Sequence, residues 1–118
     1  MGVKYERIIE RAVALGLPIS EYEFRDTKKN PAPDPPFLIY FCSEDQIGTD
    51  TQTKIRRING SIELYTDRKR DHRLEERIEN EVLFDIDFHK ETVLIQSENM
   101  YQAAYDFTIV QKSKNRKE

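Results

Sequence analysis

Two segments of the chain carry apolar residues at the three-to-four-residue spacing of an amphipathic helix. In the first, residues 3–15, charged side chains occupy the intervening positions, and Gly16 followed by Pro18 ends the pattern. In the second, residues 71–83, an apolar residue recurs every four positions, and Asp71 stands where an N-cap residue would accept a backbone hydrogen bond. The pattern therefore predicts two helices, each with one apolar face.

Other segments show the patterns of β-strands. Residues 37–42 (FLIYFC) are continuously apolar, which is typical of a strand covered on both faces, and in a small chain the second cover can be another subunit. Alternation of apolar and polar residues predicts the remaining strands, at 19–24, 54–66, 92–96 and 101–109, and allows one more short strand at 84–88. The sum is an α+β domain: an antiparallel, or mixed, β-sheet of four to five strands with two α-helices packed on one face.

Three segments lack these patterns. Residues 25–36 hold four of the five prolines and predict an extended surface connection. Residues 43–53 are polar and predict a loop that projects from the sheet, while residues 111–118, with four basic residues and one acid, predict a disordered tail. We therefore expect a single domain over residues 1–110. Connections this long in a compact domain usually have a binding use or are disordered, and we favour binding.

Composition narrows the class of protein. A chain of 118 residues and 14.0 kDa makes one domain. Its 19 basic and 22 acidic residues give a net charge of −3, so contact with nucleic acid or an anionic membrane would have to come from a local patch. The single cysteine allows no intramolecular disulfide, and no apolar run resembles a signal peptide or a membrane span. These features predict a soluble protein of the cytoplasm.

The residues that most often carry catalysis or bind metals are sparse. Cys42, the only cysteine, lies in the most apolar strand, where a thiol behaves as a small hydrophobic group. His72 and His89 have neither HExxH spacing nor a cysteine partner, and we expect both to be exposed. With four glycines and no phosphate-binding loop, the sequence predicts no catalytic residue, no bound cofactor and no metal.

Acidic residues leave one enzymatic alternative open. Asp85 and Asp87 occupy outward positions of the segment 84–88, where charged side chains are usually solvated. A divalent-metal nuclease could be assembled from Glu63, Asp85 and Lys90, although nothing in their spacing demands it.

Three sequence segments resemble a family of phage proteins. The strand "PPFLIYF", the long strand "INGSIELYTDRK" and the hairpin "SENMYQAAYDFTI", in this order around the second helix, resemble the tail terminator, or tail-completion, proteins of siphophages and prophages. The resemblance covers residues 3–110 and rests on strand and turn patterns. It implies a non-enzymatic assembly protein that caps the head-proximal end of the tail tube as a hexameric ring and joins it to the head connector.

The resemblance also implies partners and a location. The partners would be further copies of the chain, the tail tube protein and a head-completion or connector protein, with non-specific contact to passing DNA. The protein would be found in the host cytoplasm during assembly and then in the virion tail. A head-closure or neck protein of the same assembly, a small metal-dependent nuclease and a free-standing regulatory binding module remain alternatives.

Two groups of residues are candidates for these contacts. Subunit or partner contacts are expected in the segment 43–53, at Glu44, Asp45, Gln46, Ile47 and Asp50. A basic patch is expected to line a DNA channel or to pair with acids of a neighbour, through Arg56, Arg57, Arg68, Lys69 and Arg70.

Overall fold

The described part of the chain contains two helices, and the second ends in a π-helical turn. The structure is a computed structural model that describes residues 3–49 and 53–114. Helix α1 spans Tyr5–Val13, and helix α2 spans His72–Arg77 and continues as one π-helical turn, Ile78–Val82. Both predicted helices are thus confirmed.

The predicted N-cap of α2 is confirmed. The Asp71 carboxylate accepts a hydrogen bond from the backbone N–H of Leu74 at 3.1 Å. At the other end, the N–H of Leu83 donates to the carbonyl of Ile78 at 3.0 Å, which closes the wider π turn. The wider turn accompanies burial of Val82 and Leu83, two successive residues that lie in the core together with Ile78.

Five strands form one mixed sheet in the order β1-β2-β3-β5-β4. β1 runs parallel to β2, and every other neighbouring pair is antiparallel. The α+β class, with helices on one face of this sheet, is as predicted. The strands are β1 (Ile19–Glu21), β2 (Phe37–Thr49), β3 (Thr53–Asp67), β4 (His89–Ile95) and β5 (Met100–Lys114).

The core lies between the helices and one face of the sheet. Alternate residues of neighbouring strands meet there in register, as in the row Leu38, Leu64, Ala103. Because side chains of a strand point alternately to the two faces, this register brings one apolar set under the helices. The most deeply buried members of the core are Ile8, Ala12, Leu38, Ile62, Leu64, Ile78, Val82, Leu83 and Tyr105.

Gly60 allows the first helix to pack closely against the sheet. A Cβ atom at this position would lie 2.6 Å from the ring of Phe107 and 3.2 Å from the ring of Tyr5. Phe107 lies opposite Gly60 on β5, and its ring faces that of Tyr5, with 6.4 Å between their centroids. The missing side chain therefore admits both aromatic rings.

The prediction of a loop at 43–53 is wrong for residues 43–49 and 53, which lie in strands, while residues 50–52 lie outside the described residues. β2 continues to Thr49 and pairs with β3, with a bulge at Ile47 where the register shifts. The guanidinium of Arg56 lies 3.2 Å from Glu44, and that of Arg57 lies 3.8 Å from Asp45. These cross-strand pairs of opposite charge stabilise the pairing of β2 with β3. A strand can therefore form here although the residues do not alternate between apolar and polar.

The predicted tail at 111–118 is also wrong in part, because β5 continues to Lys114. Gln111 is buried and accepts a hydrogen bond from the backbone N–H of Tyr5 at 3.1 Å. Residues 115–118 lie outside the described residues.

Two other strand predictions need correction. Residues 84–88 form no strand, since they cross from the π turn to β4. The strand predicted at 19–24 ends at Glu21, because Tyr22 adopts a left-handed backbone conformation with φ of 68°. Within the described residues, no helix is long and apolar enough to cross a membrane.

Three strands extend beyond the rest of the sheet. β1 reaches only Tyr40 of β2, and β4 reaches only Asp106 of β5. Beyond these points β2, β3 and β5 continue as a three-stranded extension, which we call the arm: residues 43–49, 53–59 and 108–114.

We expect Gly60→Ala to lower the free energy of unfolding by about 1–3 kcal/mol, because the added methyl group would force the Phe107 and Tyr5 rings from their positions. Chemical denaturation followed by far-UV circular dichroism measures this. The control, Asn59→Ala at an exposed neighbouring position, should change stability by less than about 1 kcal/mol. A midpoint unchanged in Gly60→Ala would contradict the packing argument.

Candidate functional site

The face of the sheet opposite the helices, here called the open face, carries an aromatic cluster at one end. The ring of Phe37 stacks on Tyr65 with 5.1 Å between centroids, and Phe24 meets Phe37 edge-on at 5.3 Å. The Tyr65 hydroxyl donates to Glu63 at 2.8 Å and accepts from the side-chain amide of Gln102 at 2.8 Å. Burial, followed by the neighbouring Glu63, raises the pKa of Tyr65 to about 12. This end of the face is well packed.

A concavity of about 890 Å³ lies beside the aromatic cluster, towards the arm. Its floor is made of small polar side chains from three strands, and the hydroxyl of Thr108 donates to the side-chain oxygen of Asn59 there at 2.9 Å. One wall is Tyr22, whose ring lies nearly parallel to that of Phe41. The floor comprises Ser43, Asn59, Ser61 and Thr108, and the opposite wall is the segment Asp87, Phe88 and His89.

Two exposed carboxylates, those of Asp87 and Asp106, lie in this concavity. His89 lies in the same wall as Asp87 and is also exposed, as predicted. The concavity therefore combines an acidic rim, hydrogen-bonding groups and aromatic surface. That combination suits a cationic side chain such as lysine or arginine. Its aliphatic part can pack on an aromatic ring while its charged group pairs with a carboxylate.

The order of side chains across the floor differs from that of a hydrolytic triad. Ser61, Asp106 and His89 lie opposite one another on β3, β5 and β4. The carboxylate thus stands between the hydroxyl and the imidazole, whereas a nucleophilic serine needs the imidazole between it and the acid. With neighbouring strands ~4.8 Å apart, Ser61 and His89 are separated by roughly 10 Å. The row does not form a nucleophile and its base.

A second charged cluster lies under the second helix, on the other side of the sheet. Glu75, only 2% exposed, receives hydrogen bonds from Arg70 at 2.8 and 3.2 Å and lies 2.8 Å from the Lys90 ammonium. Lys90 also donates to Glu79 at 2.6 Å, and the Tyr105 hydroxyl donates to Glu79 at 2.8 Å. Two acids and two bases balance, and the cluster ties α2 to β4 and β5.

Opposing effects set the pKa values in this cluster. Burial acts to raise the pKa of Glu75, but the hydrogen bonds from Arg70 and Lys90 outweigh it and hold the pKa below its ordinary value. Burial acts to lower the pKa of Lys90, and the two carboxylates reverse this and raise it. Both groups thus stay charged at neutral pH, which fits a structural ion network better than acid–base catalysis, where the pKa lies near 7.

A bidentate pair joins the first helix to the segment after the π turn. Arg11 donates to the two carboxylate oxygens of Asp85 at 2.8 and 3.1 Å, and also to the carbonyl of Val82. Its guanidinium lies 4.3 Å from the ring centroid of Phe84. The hydrogen bonds from Arg11 hold the pKa of Asp85 below its usual range. Asp85 is therefore engaged in packing the helices together.

The structure places the candidate contact residues of the segment 43–53 on the arm. Glu44, Asp45, Gln46 and Ile47 lie on β2 and are exposed, while Asp50 lies outside the described residues. Ile47 is the bulge residue, and 44% of its surface is exposed.

The five basic candidates lie at the two ends of β3. Arg56 and Arg57 are on opposite faces of the arm and pair with Glu44 and Asp45. Arg68 to Arg70 follow the other end of the strand, roughly 35 Å away at ~3.3 Å per residue. There Arg70 is bound to Glu75, while Arg68 and Lys69 are exposed.

The three residues of the hypothetical nuclease site do not lie close together. Glu63 lies on the open face, Lys90 lies on the helix-covered face against Glu75, and Asp85 pairs with Arg11. In residues 3–49 and 53–114, no group of three or more His, Cys, Asp or Glu side chains is placed to hold a metal ion. Cys42 is half-buried in β2, with its thiol unpaired with another cysteine.

Sequence reasoning missed the concavity. Alternation in residues 101–109 does place Asp106 and Thr108 on the side away from the core. Alternation does not reveal which strands are neighbours in the sheet. It also does not predict that Tyr22 lines the wall, because this depends on the left-handed backbone conformation of Tyr22. No family model matches the chain, and no curated protein matches it either.

We expect Glu75→Ala to lower the free energy of unfolding by about 1–3 kcal/mol, because it leaves the partly exposed Arg70 charge without its partner and Lys90 with only one of its two carboxylates. Urea denaturation at neutral pH measures this. Glu76→Ala, at the exposed neighbouring position, is the matched control and should have little effect. Equal stability of the two variants would show that the cluster contributes nothing.

Stability should also depend on pH through Glu75. Because its pKa is lowered in the folded state, its contribution is complete above the unfolded-state pKa of about 4.3 and is lost as the pH falls through the folded-state value. The difference in unfolding free energy between the wild type and Glu75→Gln should therefore be constant near neutral pH and shrink below about pH 4. A difference that grows on acidification would contradict this sign.

Proposed function

We propose that this chain is a non-enzymatic structural protein that assembles into a hexameric ring, caps the head-proximal end of a phage or prophage tail tube and joins it to the head connector. The observation that carries the proposal is the arm, whose two edges have no strand neighbour among residues 3–49 and 53–114, with an open sheet face beside it. Such a surface suits association with other protein chains.

The arm offers backbone hydrogen-bonding groups on both sides. In the described part of the chain, the outer edge of β2 has no strand neighbour after Tyr40, and that of β5 has none after Asp106. Exposed edges of this kind pair readily with strands of another chain. Since the two edges differ, contact between unlike edges of successive copies is heterologous and closes into a ring when the rotation permits.

Charge pairs on the arm restrict which chain can bind. Glu44 with Arg56 on one face, and Asp45 with Arg57 on the other, present alternating charge instead of a flat apolar edge. Charged edges of this kind disfavour indiscriminate pairing and select a partner of complementary charge. The arm is therefore suited to one specific neighbour.

Ile47 is the proposed contact with the tail tube. Bulges turn a side chain out of the regular strand pattern and are frequent at functional sites. Here the bulge presents a large apolar residue among charged ones, near the end of the arm. Burying it against a tube subunit would contribute apolar contact in the centre of a polar rim.

The basic turn is proposed to face the passing DNA. Arg68 and Lys69 are exposed, whereas Arg70 is committed to Glu75. Two exposed cations per subunit become twelve in a hexamer, a sequence-independent contact of the kind that phosphates make. The head connector would meet the same end of the ring.

We expect native mass spectrometry to give a species near six times 14.0 kDa, either in solution or when tail tubes of the encoding phage are added. Ile47→Asp should abolish binding to the tubes without lowering thermal stability, because the side chain is exposed. Sedimentation with tubes measures the binding.

Val93→Asp is the matched control for that variant. Val93 is 46% exposed, close to the value for Ile47, but it lies on β4, away from the arm. It should still bind the tubes. A wild-type protein that stays monomeric and fails to bind tubes would overturn the proposal and favour a free-standing binding module.

We expect the double variant Arg68→Glu, Lys69→Glu to form rings and cap tubes but to reduce DNA delivery from assembled virions, because two exposed positive charges per subunit become negative. Arg70 is left unchanged so that the Glu75 cluster stays intact. Plaque yield against the number of assembled particles measures the effect, and normal delivery would remove the turn from the DNA path.

A further inference from the structure

We propose that the concavity on the open face receives the basic end of β5 from a second copy of this chain. This rests on the self-association proposed above and names one contact through which it occurs. The occupant is the segment that begins at Lys112.

The end of β5 complements the concavity in charge. Lys112 is exposed, and Lys114, Arg116 and Lys117 follow it in the sequence, with a single acid at Glu118. The concavity presents Asp87 and Asp106. Opposite charges of this arrangement steer two surfaces together and set their register.

The floor of the concavity also suits an extended chain. Its side chains, from Ser43 to Thr108, are small and carry hydroxyl and amide groups that can bind a peptide backbone. The exposed ring of Tyr22 on one wall and that of Phe88 on the other offer apolar surface to the stems of lysine and arginine. Residues 112–114 are already extended in β5 and would enter without a change of conformation.

Lys112, the first residue of the basic segment, cannot reach the concavity of its own molecule. Lys112 and Asp106 lie on the same strand and the same face, six residues apart, which at ~3.4 Å per residue separates them by roughly 20 Å. The strand is paired with β3 throughout this stretch, so it cannot fold back. The contact therefore joins two copies through unlike surfaces, as a ring requires.

Disulfide trapping tests this contact in the full-length protein. With Cys42→Ala as background, Asp106→Cys and Lys112→Cys are placed in one chain. A disulfide needs Cα atoms less than ~7 Å apart, so the two new cysteines cannot bond within a molecule. We expect mild oxidation to give a ladder of linked oligomers, whereas a mixture of the two single-cysteine proteins gives linked dimers.

The control pairs Lys112→Cys with Asp67→Cys, which lies at the opposite end of β3 and is equally exposed to solvent. It should give no ladder beyond random collision. A ladder of equal intensity from the control pair would overturn the proposed contact.

Charge reversal provides a second, reversible readout. Asp87→Lys with Asp106→Lys, or Lys112→Glu with Lys114→Glu, should each weaken self-association at least ~10-fold, as measured by analytical ultracentrifugation. All four substitutions together should restore it, and higher salt should weaken the wild-type contact. Far-UV circular dichroism checks that the variants are folded, since Asp87, Asp106 and Lys112 are exposed.

The outcomes separate this inference from the function it rests on. Rings that form and cap tubes in both double charge-reversal variants, without trapping between positions 106 and 112, would overturn the contact and leave the proposed function standing. Trapping and charge-dependent association without any binding to tubes would support the contact and overturn the tail function.

Discussion

Pairing along the whole length of β3 is the constraint on which the rest of the structure depends. All fifteen of its residues pair with β5 on one side, and twelve of them, residues 54–65, pair with β2 on the other. Because side chains alternate between the faces, a shift of one residue would exchange the helix-covered and open faces along the entire strand. The core, the concavity and the arm all follow from this single register.

The helices cover only part of this sheet; aromatic packing positions the first helix and an ion network positions the second. Gly60 admits the ring of Tyr5 from the first helix, while Glu75 holds Arg70 and Lys90 beneath the second. Removing one member of such a buried network leaves a charge without a partner, which is far more costly than losing a surface ion pair. β2, β3 and β5 extend past the part of the sheet that the helices cover. The helix-covered part and the arm are therefore one continuous sheet.

The sequence predicts the parts of the fold that are built from apolar periodicity. Both helices, the cap at Asp71 and the inner part of β3 follow from it, because burial imposes a period that the residues reveal. Of the arm, nearly all of the middle strand falls within the predicted strand 54–66, but most of its two outer strands do not follow from periodicity, since they are held by backbone pairing and by charge pairs such as Glu44 with Arg56. The concavity could not be predicted from the sequence for another reason. It depends on which strands are neighbours in the sheet and on the left-handed backbone conformation of Tyr22.

The position of β5 inside the sheet has a consequence for synthesis on the ribosome. Residues 100–114 fill the place between β3 and β4, so one side of β3 stays open until this late part of the chain has emerged. Pairing between segments so distant in sequence also closes slowly. During translation the nascent chain thus displays an unfinished sheet whose free edge can accept a foreign strand until β5 has emerged and paired with β3.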